Sequence, residues 1–537
     1  MARGRHIRST HRHIRSTHRH IRSTIGAAVL AVLATSLAAC GSGSSASASA
    51  RTAPSTKACV AHRPHEISDE FPTPDVRWSK HGVLETTLRA SYSTVTLNGQ
   101  QYQTLNYEGS VPGPTLVVCP GDTLIVHLKN DLGNTPAAWL TGIPTMPDMD
   151  PGHGQLTNLH THGFHVSPRG HGDNVFTNVD PGGEFTYRYH VPLDHPPGMY
   201  WYHPHRHGYV DTQVYAGMFG VLYVQGGLDD IPRIADIPTR TIVVNALQLG
   251  SGAVVPDGDA TNTQTLVNGA VMPNITVHPG ELQRWRIINV GPDSMVRLGL
   301  SNQPFTILAN DGNTLHRPSR RRALLVGPGE REEVLVRGGV AGDTQLQSLP
   351  FNQFQGGTPT VTPLATVHST PGGTKRLRRV TDAALTGPQE DLRTAKVHDR
   401  HRIVYTEQPT ASGGTNFLFN GKIFDPNRLD QVMHLGKVAE WTLVNQTTEW
   451  HTFHIHLNKF QVTKVKLGRG APGVSPGRID DVRRGAIERQ DTVKLPPGST
   501  VTLRTRPTDF TGKFVFHCHM LFHEDNGMMG TVEIHKQ

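Results

Sequence analysis

The sequence has little net charge once its amino terminus is set aside, and this excludes one class of function. The whole chain carries a formal charge of +8. Seven arginines and no acidic residues precede Cys40, so the rest of the chain is close to neutral. A nearly neutral chain has no basic surface large enough to bind phosphate backbones, and we therefore expect no nucleic-acid partner.

Long apolar runs are also lacking. A shorter apolar run near the amino terminus predicts a signal peptide at 1–39. Residues 5–24 repeat a seven-residue unit almost three times, and an apolar stretch of 15 residues at 25–39 follows. A helix that spans a membrane needs roughly 20 apolar residues. Leu-Ala-Ala-Cys, ending at Cys40, resembles the lipobox of bacterial lipoproteins. We therefore expect export, either as a cell-surface lipoprotein anchored through a lipid on Cys40 or as a secreted protein.

Cysteine is scarce, with four residues in 537. Cys40 is assigned to the lipid, and Cys518 lies in a histidine cluster. Cys59 and Cys119 remain, and an oxidising compartment permits them to form a disulfide. Two free thiols are the alternative.

The chain contains three copies of one sequence pattern. A tight turn followed by alternating apolar residues and a closing Asn occurs at 120–130, 279–289 and 435–445. This pattern is typical of a strand that leaves a hairpin. Runs of β-branched residues with period two are common and long helical stripes are scarce, so each copy is predicted to be a β-sandwich.

The predicted organisation is all-β, with three consecutive sandwich domains. The boundaries follow from the repeat spacing and from Gly/Pro-rich stretches. They are a tether and N-terminal segment at 40–75, domain 1 at 76–227, domain 2 at 228–370, a linker at 371–400 and domain 3 at 401–537. Histidine clusters occur only in domains 1 and 3, which predicts that domain 2 is a spacer or part of a wall.

Histidine is abundant, and one cluster is too unusual to be a product of composition. The chain has 32 histidines, so isolated His-x-His pairs are expected by chance. A cysteine flanked by two histidines, as at 517–519, is not. Three more clusters accompany it, at 158–163, 202–205 and 451–456.

Strand geometry divides these side chains between two sites. Because residues i and i+2 of a strand share a face, Cys518 points away from His517 and His519. His451 lies an odd number of residues from His454, so it can meet Cys518 on the opposite face. One thiolate, two imidazoles (His451 and His523) and a weak axial thioether (Met528) are the ligands of a blue-copper site.

The second predicted site contains only imidazoles. Four come from the first domain and four from the third: His160, His162, His203, His205, His454, His456, His517 and His519. Neutral imidazoles without a carboxylate suit copper rather than calcium or magnesium. Zinc would use four of them and leave four unexplained.

These four clusters, in this order, resemble the copper signatures of three-domain multicopper oxidases, the laccase family, and the signal indicates a bacterial member. The resemblance covers essentially the whole mature chain and implies three cupredoxin-like Greek-key sandwiches. It implies four copper ions: type 1 at His451, Cys518, His523 and Met528, type 2 at His160 and His454, and a type 3 pair at the other six histidines. Asp173 and Glu524 resemble the acidic proton-relay positions of the family, although either can be an ordinary structural acid.

The resemblance implies an enzyme that couples four one-electron oxidations to the reduction of dioxygen to water. The expected substrates are phenols or aromatic amines. Oxidation of Cu(I) or Mn(II) in copper tolerance is the alternative within the same class, and a copper-binding envelope protein without turnover is the alternative from another class. Neither the specific substrate nor the oligomeric state follows from the sequence.

Overall fold

The computed structural model describes most of the chain beyond the predicted tether. The described residues are 67, 69–141, 155–256, 263–301, 303–353, 360–372, 383–387, 389–411, 413–468 and 487–536. The predicted signal peptide, Cys40 and Cys59 lie outside them. Cys119 is disulfide-bonded, and its pairing with Cys59 stays a prediction.

The first sandwich consists of a four-stranded sheet (β3-β2-β5-β7) and a five-stranded sheet (β1-β4-β9-β8-β6). Its strands alternate buried and exposed positions where one face meets solvent, as in the 15-residue strand β2. The strands are β1 Val76–Trp78, β2 Val83–Leu97, β3 Gln100–Tyr107, β4 Gly113–Val118, β5 Thr123–Asp131, β6 His160–His162, β7 Glu184–His190, β8 Gly198–His203 and β9 Gly220–Val224.

The second sandwich consists of a six-stranded sheet (β11-β10-β13-β18-β15-β16) and a five-stranded sheet (β12-β20-β19-β14-β17). Its strands are β10 Thr239–Gln248, β11 Thr263–Val267, β12 Asn274–Val277, β13 Leu282–Asn289, β14 Val296–Leu300, β15 Phe305–Asn310, β16 Asn313–Arg321, β17 Ala323–Val326, β18 Arg331–Arg337, β19 Gly342–Ser348 and β20 Thr362–Ser369.

The third sandwich consists of two five-stranded sheets (β22-β21-β24-β28-β26 and β23-β30-β29-β25-β27). Its strands are β21 Val397–Pro409, β22 Thr415–Phe419, β23 Gln431–His434, β24 Val438–Asn445, β25 His451–Ile455, β26 Phe460–Lys466, β27 Thr492–Leu495, β28 Thr500–Thr505, β29 Gly512–Cys518 and β30 Met529–His535. Strand β21 begins inside the predicted linker 371–400. The all-β prediction with three consecutive sandwiches is confirmed, and the exact domain boundaries stay predictions.

The predicted sequence repeat corresponds to one structural unit used three times. Strands β5, β13 and β24 each pair in parallel with one neighbour, β2, β10 and β21 respectively. Each also pairs antiparallel with a later strand, β7, β18 and β28. The repeated strand therefore occupies the same central position in each sandwich.

The closing asparagine of each repeat has the same structural role. Asn130, Asn289 and Asn445 are fully buried. In each case the side-chain oxygen accepts a hydrogen bond from the backbone N–H two residues later, at 2.9–3.0 Å. The side-chain NH2 donates to a carbonyl group far along the chain, that of Val179, Val326 and Leu495 respectively. The residue is repeated because its amide turns the chain at the end of the strand and satisfies buried backbone groups.

The described part of the chain has four short helices between its strands: α1 Ala137–Thr141, α2 Val210–Ala216, α3 Pro232–Ala235 and α4 Leu521–Asp525. Short 3-10 turns occur at Leu132–Asn134, Gly227–Asp230 and Leu392–Thr394. Among the described residues no helix has the length and apolar character needed to cross a bilayer. Helix α4 matters for function, because it closely follows Cys518 and contains both His523 and Glu524.

Candidate metal centre

Eight histidines converge where strands of the first and third sandwiches meet. In the first sandwich β6 pairs with β8, which places His160 opposite His203. In the third, β25 pairs with β29, which places His454 opposite His517. The other four lie two residues further along each segment: His162, His205, His456 and His519. All eight side chains are buried.

Three of these histidines have their Nε2 atoms close to one another. The Nε2 atoms of His205 and His517 are 3.1 Å apart, and that of His456 lies 3.1 Å and 3.2 Å from them. Three ring nitrogens in a triangle cannot all be satisfied by hydrogen bonds, because each is either a donor or an acceptor. A cation about 2 Å from each nitrogen satisfies all three.

A second triad has the same character. The Nδ1 atom of His162 lies 3.1 Å from the Nε2 atom of His519. His203 completes the group, since the ligand atoms of the three residues all lie within 4.8 Å of one another. Within the described part of the chain, the His203 Nε2 atom has no hydrogen-bond partner. This buried nitrogen therefore needs an ion or a water molecule.

Two histidines, His160 and His454, remain outside the triads. Their rings stack on His456 and His162 respectively, each at 3.8 Å between centroids. Neither Nε2 atom meets a hydrogen-bond partner among the described residues. Burial, reinforced by neighbouring histidines, lowers the pKa of His160 well below its ordinary value. The ring is therefore neutral and able to bind a metal ion.

Asp173 orients the first of these two rings from behind. Its Oδ2 atom lies 2.8 Å from His160 Nδ1 and 3.8 Å from His456 Nδ1. Its Oδ1 atom accepts hydrogen bonds from the backbone and hydroxyl of Thr161. Burial raises the pKa of Asp173 to about 7, although the bonds from Thr161 act in the opposite direction. The carboxyl group can therefore gain and lose a proton near neutral pH.

Glu524 lies behind the first triad. Its Oε2 atom is 2.7 Å from His517 Nδ1, and its Oε1 atom is 3.5 Å from His205 Nδ1. Burial opposes ionisation, but the two histidines outweigh it and lower the pKa of this carboxyl group. A carboxylate on the far nitrogen of a metal-binding histidine fixes the ring and raises its basicity as a ligand.

Cys518 forms the separate, sulfur-containing site. Its Sγ atom lies 3.5 Å from His451 Nδ1 and 3.7 Å from His523 Nδ1, and these two nitrogens are 3.1 Å apart. Burial raises the pKa of the Cys518 thiol. The thiolate therefore forms here only when a cation binds, because a coordinating thiol is deprotonated by the metal.

Met528 is held next to this site by its backbone. Its carbonyl accepts a hydrogen bond from the Cys518 N–H at 3.0 Å, and its own N–H donates to the carbonyl of His523 at 2.9 Å. The side chain is fully buried in the core of the third sandwich, together with Cys518.

Comparison with known families shows to which family the chain belongs. Family models described as multicopper oxidase match residues 392–537, 239–344 and, in two overlapping segments, 89–154 and 152–228. Together they cover most of the chain. The chain belongs to the multicopper oxidase family.

Individual relatives resemble this multicopper oxidase along nearly their whole length. "Multicopper oxidase mco" of Staphylococcus aureus is 27% identical and aligns over 86% of this chain and 91% of the relative. A protein named "Laccase" from Bacillus stratosphericus is 24% identical over 87% of this chain and 98% of its own. The solved structure of a Campylobacter jejuni multicopper oxidase, titled "a metallo-oxidase", superposes with a TM-score of 0.70 at 23% identity, covering 88% of this chain and 98% of that one.

The donor set fits the copper complement of a multicopper oxidase, which is one type 1, one type 2 and two type 3 ions. Two triads of imidazoles, a pair of imidazoles with unpartnered Nε2 atoms, and a thiol with two imidazoles give four places for ions among the described residues. Enzymes of this family are copper-dependent oxidoreductases that use dioxygen. The ligand types are those that copper prefers.

Two charged residues that support the copper cluster do not stand out in the sequence. The Oδ1 atom of Asp491 lies 3.2 Å from His162 Nε2, and its carbonyl oxygen lies 2.8 Å from His454 Nδ1. Arg331, on strand β18 of the second sandwich, donates two hydrogen bonds to the carboxylate of Asp491, at 2.7 Å and 2.8 Å. Neither residue occurs in a histidine motif, so no local pattern reveals them.

Arg331 extends the prediction that the second domain is a spacer or part of a wall. Its guanidinium is fully buried and donates further hydrogen bonds to the carbonyls of Met199 and Gly329. A Cβ atom added at Gly329 would come within 3.0 Å of the rings of His519 and His162. The second sandwich therefore supplies part of the inner wall of the copper cluster and holds one of its supporting carboxylates.

Proposed function

We propose that each predicted ligand binds the copper ion to which the family resemblance assigns it. Type 1 copper would be bound by His451, Cys518 and His523, with the Met528 thioether as a weak further ligand. Type 2 copper is bound by His160 and His454. One type 3 ion is bound by the triad of His162, His203 and His519. The other is bound by the triad of His205, His456 and His517. The observation that supports this most directly is that the two triads together leave one pair of the eight histidines over, as a single type 2 ion requires.

The chain connects the two sites by covalent bonds. Bound copper supplies the one-electron chemistry and the reduction of dioxygen. His517 precedes Cys518 in the chain and His519 follows it, and the two histidines belong to different triads. An electron that reaches the sulfur therefore has a path through the backbone to both triads. Four electrons and four protons per dioxygen give two molecules of water.

Asp173 and Glu524 are the proposed proton relays. Each is buried and lies within 2.8 Å of the far nitrogen of a cluster histidine. Because the pKa of Asp173 is raised to about 7, this carboxyl group can hold a proton at Oδ2 and release it near neutral pH. Glu524, with its lowered pKa, keeps a negative charge beside the first triad. Its carboxylate can accept a proton for a short time and pass it on.

We propose phenols or aromatic amines as the reducing substrates. The ring of His523 stacks on Phe417 at 4.0 Å between centroids, and Phe417 contacts Phe522 at 5.9 Å. Phe522 is 40% exposed, so an aromatic surface reaches solvent beside this type 1 ligand. A donor ring can stack there without opening the core.

Two carboxylates near the same site support this substrate class. Glu449 Oε2 lies 3.8 Å from His523 Nε2, and Glu407 Oε1 lies 3.8 Å from His451 Nε2. Both side chains are partly exposed, at 14% and 28%. A phenol that loses an electron also loses its proton, and a nearby carboxylate can accept it. The same negative charges attract Cu(I) or Mn(II), which keeps metal-ion oxidation as the second candidate.

Dioxygen uptake tests the proposal. The copper-loaded protein is given a methoxyphenol, Cu(I) or Mn(II) in turn, with an assay for peroxide. We expect one dioxygen per four donor electrons, no peroxide, and the highest kcat/KM with the phenol. Glu449→Gln should lower kcat/KM for the phenol by about tenfold or more, whereas Glu85→Gln on the first sandwich should not. Faster turnover of a metal ion than of any phenol would assign the metal-ion activity instead, and copper loading without dioxygen uptake would favour a binding protein.

We also propose that the protein is exported and carries a lipid on Cys40 when it stays at the cell surface. The sequence at 37–40 supports this. Mass spectrometry of the mature amino-terminal peptide distinguishes a lipid-modified Cys40 from a secreted form without it.

A further inference from the structure

A cluster of histidine and aspartate lies on the third sandwich, outside the copper centre. His398 and Asp399 are on strand β21, and His434 is at the end of strand β23. These strands belong to different sheets of the sandwich. The side chains of His398 and His434 are 43% and 33% exposed. The cluster therefore joins the two sheets at a surface that solvent reaches.

One carboxylate oxygen is shared by both imidazoles. Asp399 Oδ1 lies 2.8 Å from His398 Nδ1 and 2.9 Å from His434 Nδ1. The other oxygen, Oδ2, accepts a hydrogen bond from the backbone N–H of His434 at 2.9 Å. This bond fixes the carboxylate so that Oδ1 faces the two rings.

The backbone is adapted to bring His398 and Asp399 to this position. The pairing of β21 with β24 shifts register between Val397 and Asp399, which leaves His398 as the extra residue of a β-bulge. A bulge re-aims a side chain at the expense of regular pairing and is enriched beside functional sites. Without it, consecutive residues 398 and 399 would point to opposite faces of the sheet.

The arrangement matches the spacing of ligands around one metal ion. Neighbouring ligands at about 2.0–2.1 Å from an ion lie about 2.9 Å apart at a right angle and about 3.3 Å apart at a tetrahedral angle. The distances of 2.8 Å and 2.9 Å from Asp399 Oδ1 to the two Nδ1 atoms are nearest to the right angle that Cu(II) prefers. The rings of His398 and His434 lie 5.0 Å apart between centroids, with 64° between their planes. The rings of His451 and His523, at the sulfur-containing site of Cys518 (the thiol site), have nearly the same arrangement, at 4.9 Å and 61°.

We propose that His398, His434 and Asp399 form a peripheral binding site for a divalent transition-metal ion that prefers imidazole, such as Zn(II) or Cu(II). The ion takes the two Nδ1 atoms and Asp399 Oδ1, and solvent completes its coordination.

This site is separate from the four copper ions of the enzyme. Tyr405, further along strand β21, packs on His451 with 5.2 Å between ring centroids. The six-residue step from Asp399 to Tyr405 spans about 20 Å of strand. An ion at Asp399 therefore shares no ligand with the type 1 site. The ion is expected to hold strand β21 against strand β23. Because β23 pairs with β30, the ion also links β21 to β30.

Zinc binding to the copper-loaded full chain tests the proposal. Equilibrium dialysis gives the number of zinc ions bound and their dissociation constant, while metal analysis follows the copper content. The variants are His398→Gln, His434→Gln and Asp399→Asn. The matched control is His368→Gln, because His368 Nδ1 also contacts a carboxylate, Asp343 Oδ1 at 2.6 Å, but its Nε2 atom contacts Asn274.

Residues 1–66 contain further histidines, so the comparison between variants carries the result. We expect the wild type and the His368 variant to bind one more zinc ion than the His398 and His434 variants. The Asp399 variant should bind that ion at least about tenfold more weakly, because an uncharged amide oxygen replaces a carboxylate ligand. X-ray absorption at the zinc edge should show two imidazoles. Equal zinc binding by all variants, or zinc bound only in place of copper, would overturn the proposal and leave Asp399 as a hydrogen-bonded clip between two sheets.

Discussion

The two copper sites of this protein differ most in how closely carboxylates approach them. At the thiol site the acidic oxygens of Glu407 and Glu449 stay 3.8 Å from the histidines. At the histidine cluster, Asp173, Asp491 and Glu524 approach ring nitrogens to between 2.7 and 3.2 Å.

This difference separates the transfer of electrons through the sulfur from the supply of protons to dioxygen. Sulfur is a soft ligand that accepts and passes single electrons, and close acids are not needed for that step. Reduction of dioxygen to water consumes protons, so acids are needed beside the histidine cluster. The following predictions test this separation, beginning with the largest expected effect.

Removal of the sulfur should stop electron entry and leave the histidine cluster intact. Cys518→Ser replaces the thiolate with a hydroxyl that does not deprotonate as readily, so we expect the blue absorption to disappear and dioxygen uptake to fall by at least about 1,000-fold. Copper analysis should still find three ions per chain. Retention of more than a few per cent of wild-type turnover would show that electrons reach the cluster without Cys518.

Neutralisation of the relay carboxylates should slow dioxygen reduction but not the oxidation of the donor. For Asp173→Asn and Glu524→Gln we expect turnover to fall by about 100-fold or more, as for the loss of a general acid. Anaerobic bleaching of the blue colour by a phenol reports electron entry alone and should keep its wild-type rate. If bleaching slows to the same degree, the separation of the two sites is wrong.

The pH dependence gives a second test at Asp173. Because burial raises its pKa to about 7, the protonated form that can supply a proton is lost as the pH rises through that value. We expect turnover of the wild type at saturating donor to decline above neutral pH for this reason. Asp173→Asn removes the titrating group, so its residual turnover should lose this decline. An unchanged alkaline limb in the variant would assign the decline to another group.

The second sandwich should affect the histidine cluster and not the thiol site. Arg331→Lys keeps the positive charge but loses the two-pronged bond to Asp491. We expect turnover or type 2 copper content to fall by about tenfold, with the blue absorption unchanged. Arg337→Lys, on the same strand but exposed, is the matched control. A loss of blue absorption would indicate general unfolding rather than a local effect on the cluster.

The sequence predicts that the candidate ligands fall into the groups that the structure contains, because these residues obey local rules. The i, i+2 spacing of strand residues and the flanking of Cys518 by two histidines are enough to assign the ligands to two separate sites. The three-fold repeat likewise predicts the three sandwiches, since Asn130, Asn289 and Asn445 each end the same strand in the same way.

Arg331 and Asp491 could not be found in this way. They are 160 residues apart, they come from different sandwiches, and they meet only because the chain folds around the cluster. A lone Arg in a strand, or a lone Asp before one, is typical of many surface positions, so the pairing depends on tertiary contacts that no local pattern contains. The same is true of His398 and His434. Both contact Asp399 because of a β-bulge, which the sequence does not reveal.

The smallest predicted effect concerns Met528 and tests the thiol site alone. Leu has nearly the volume of Met, so Met528→Leu should fold with little loss of stability. Loss of a weak thioether ligand destabilises the oxidised form of the ion, and we expect the type 1 midpoint potential to rise. Met520→Leu is the matched control, because Met520 is also fully buried and lies two residues from Cys518. Redox titration of the blue band measures both. Because we propose that dioxygen is reduced at the histidine cluster, the ratio of water to peroxide should stay unchanged in either variant. Equal midpoints in the two variants would remove Met528 from the coordination sphere.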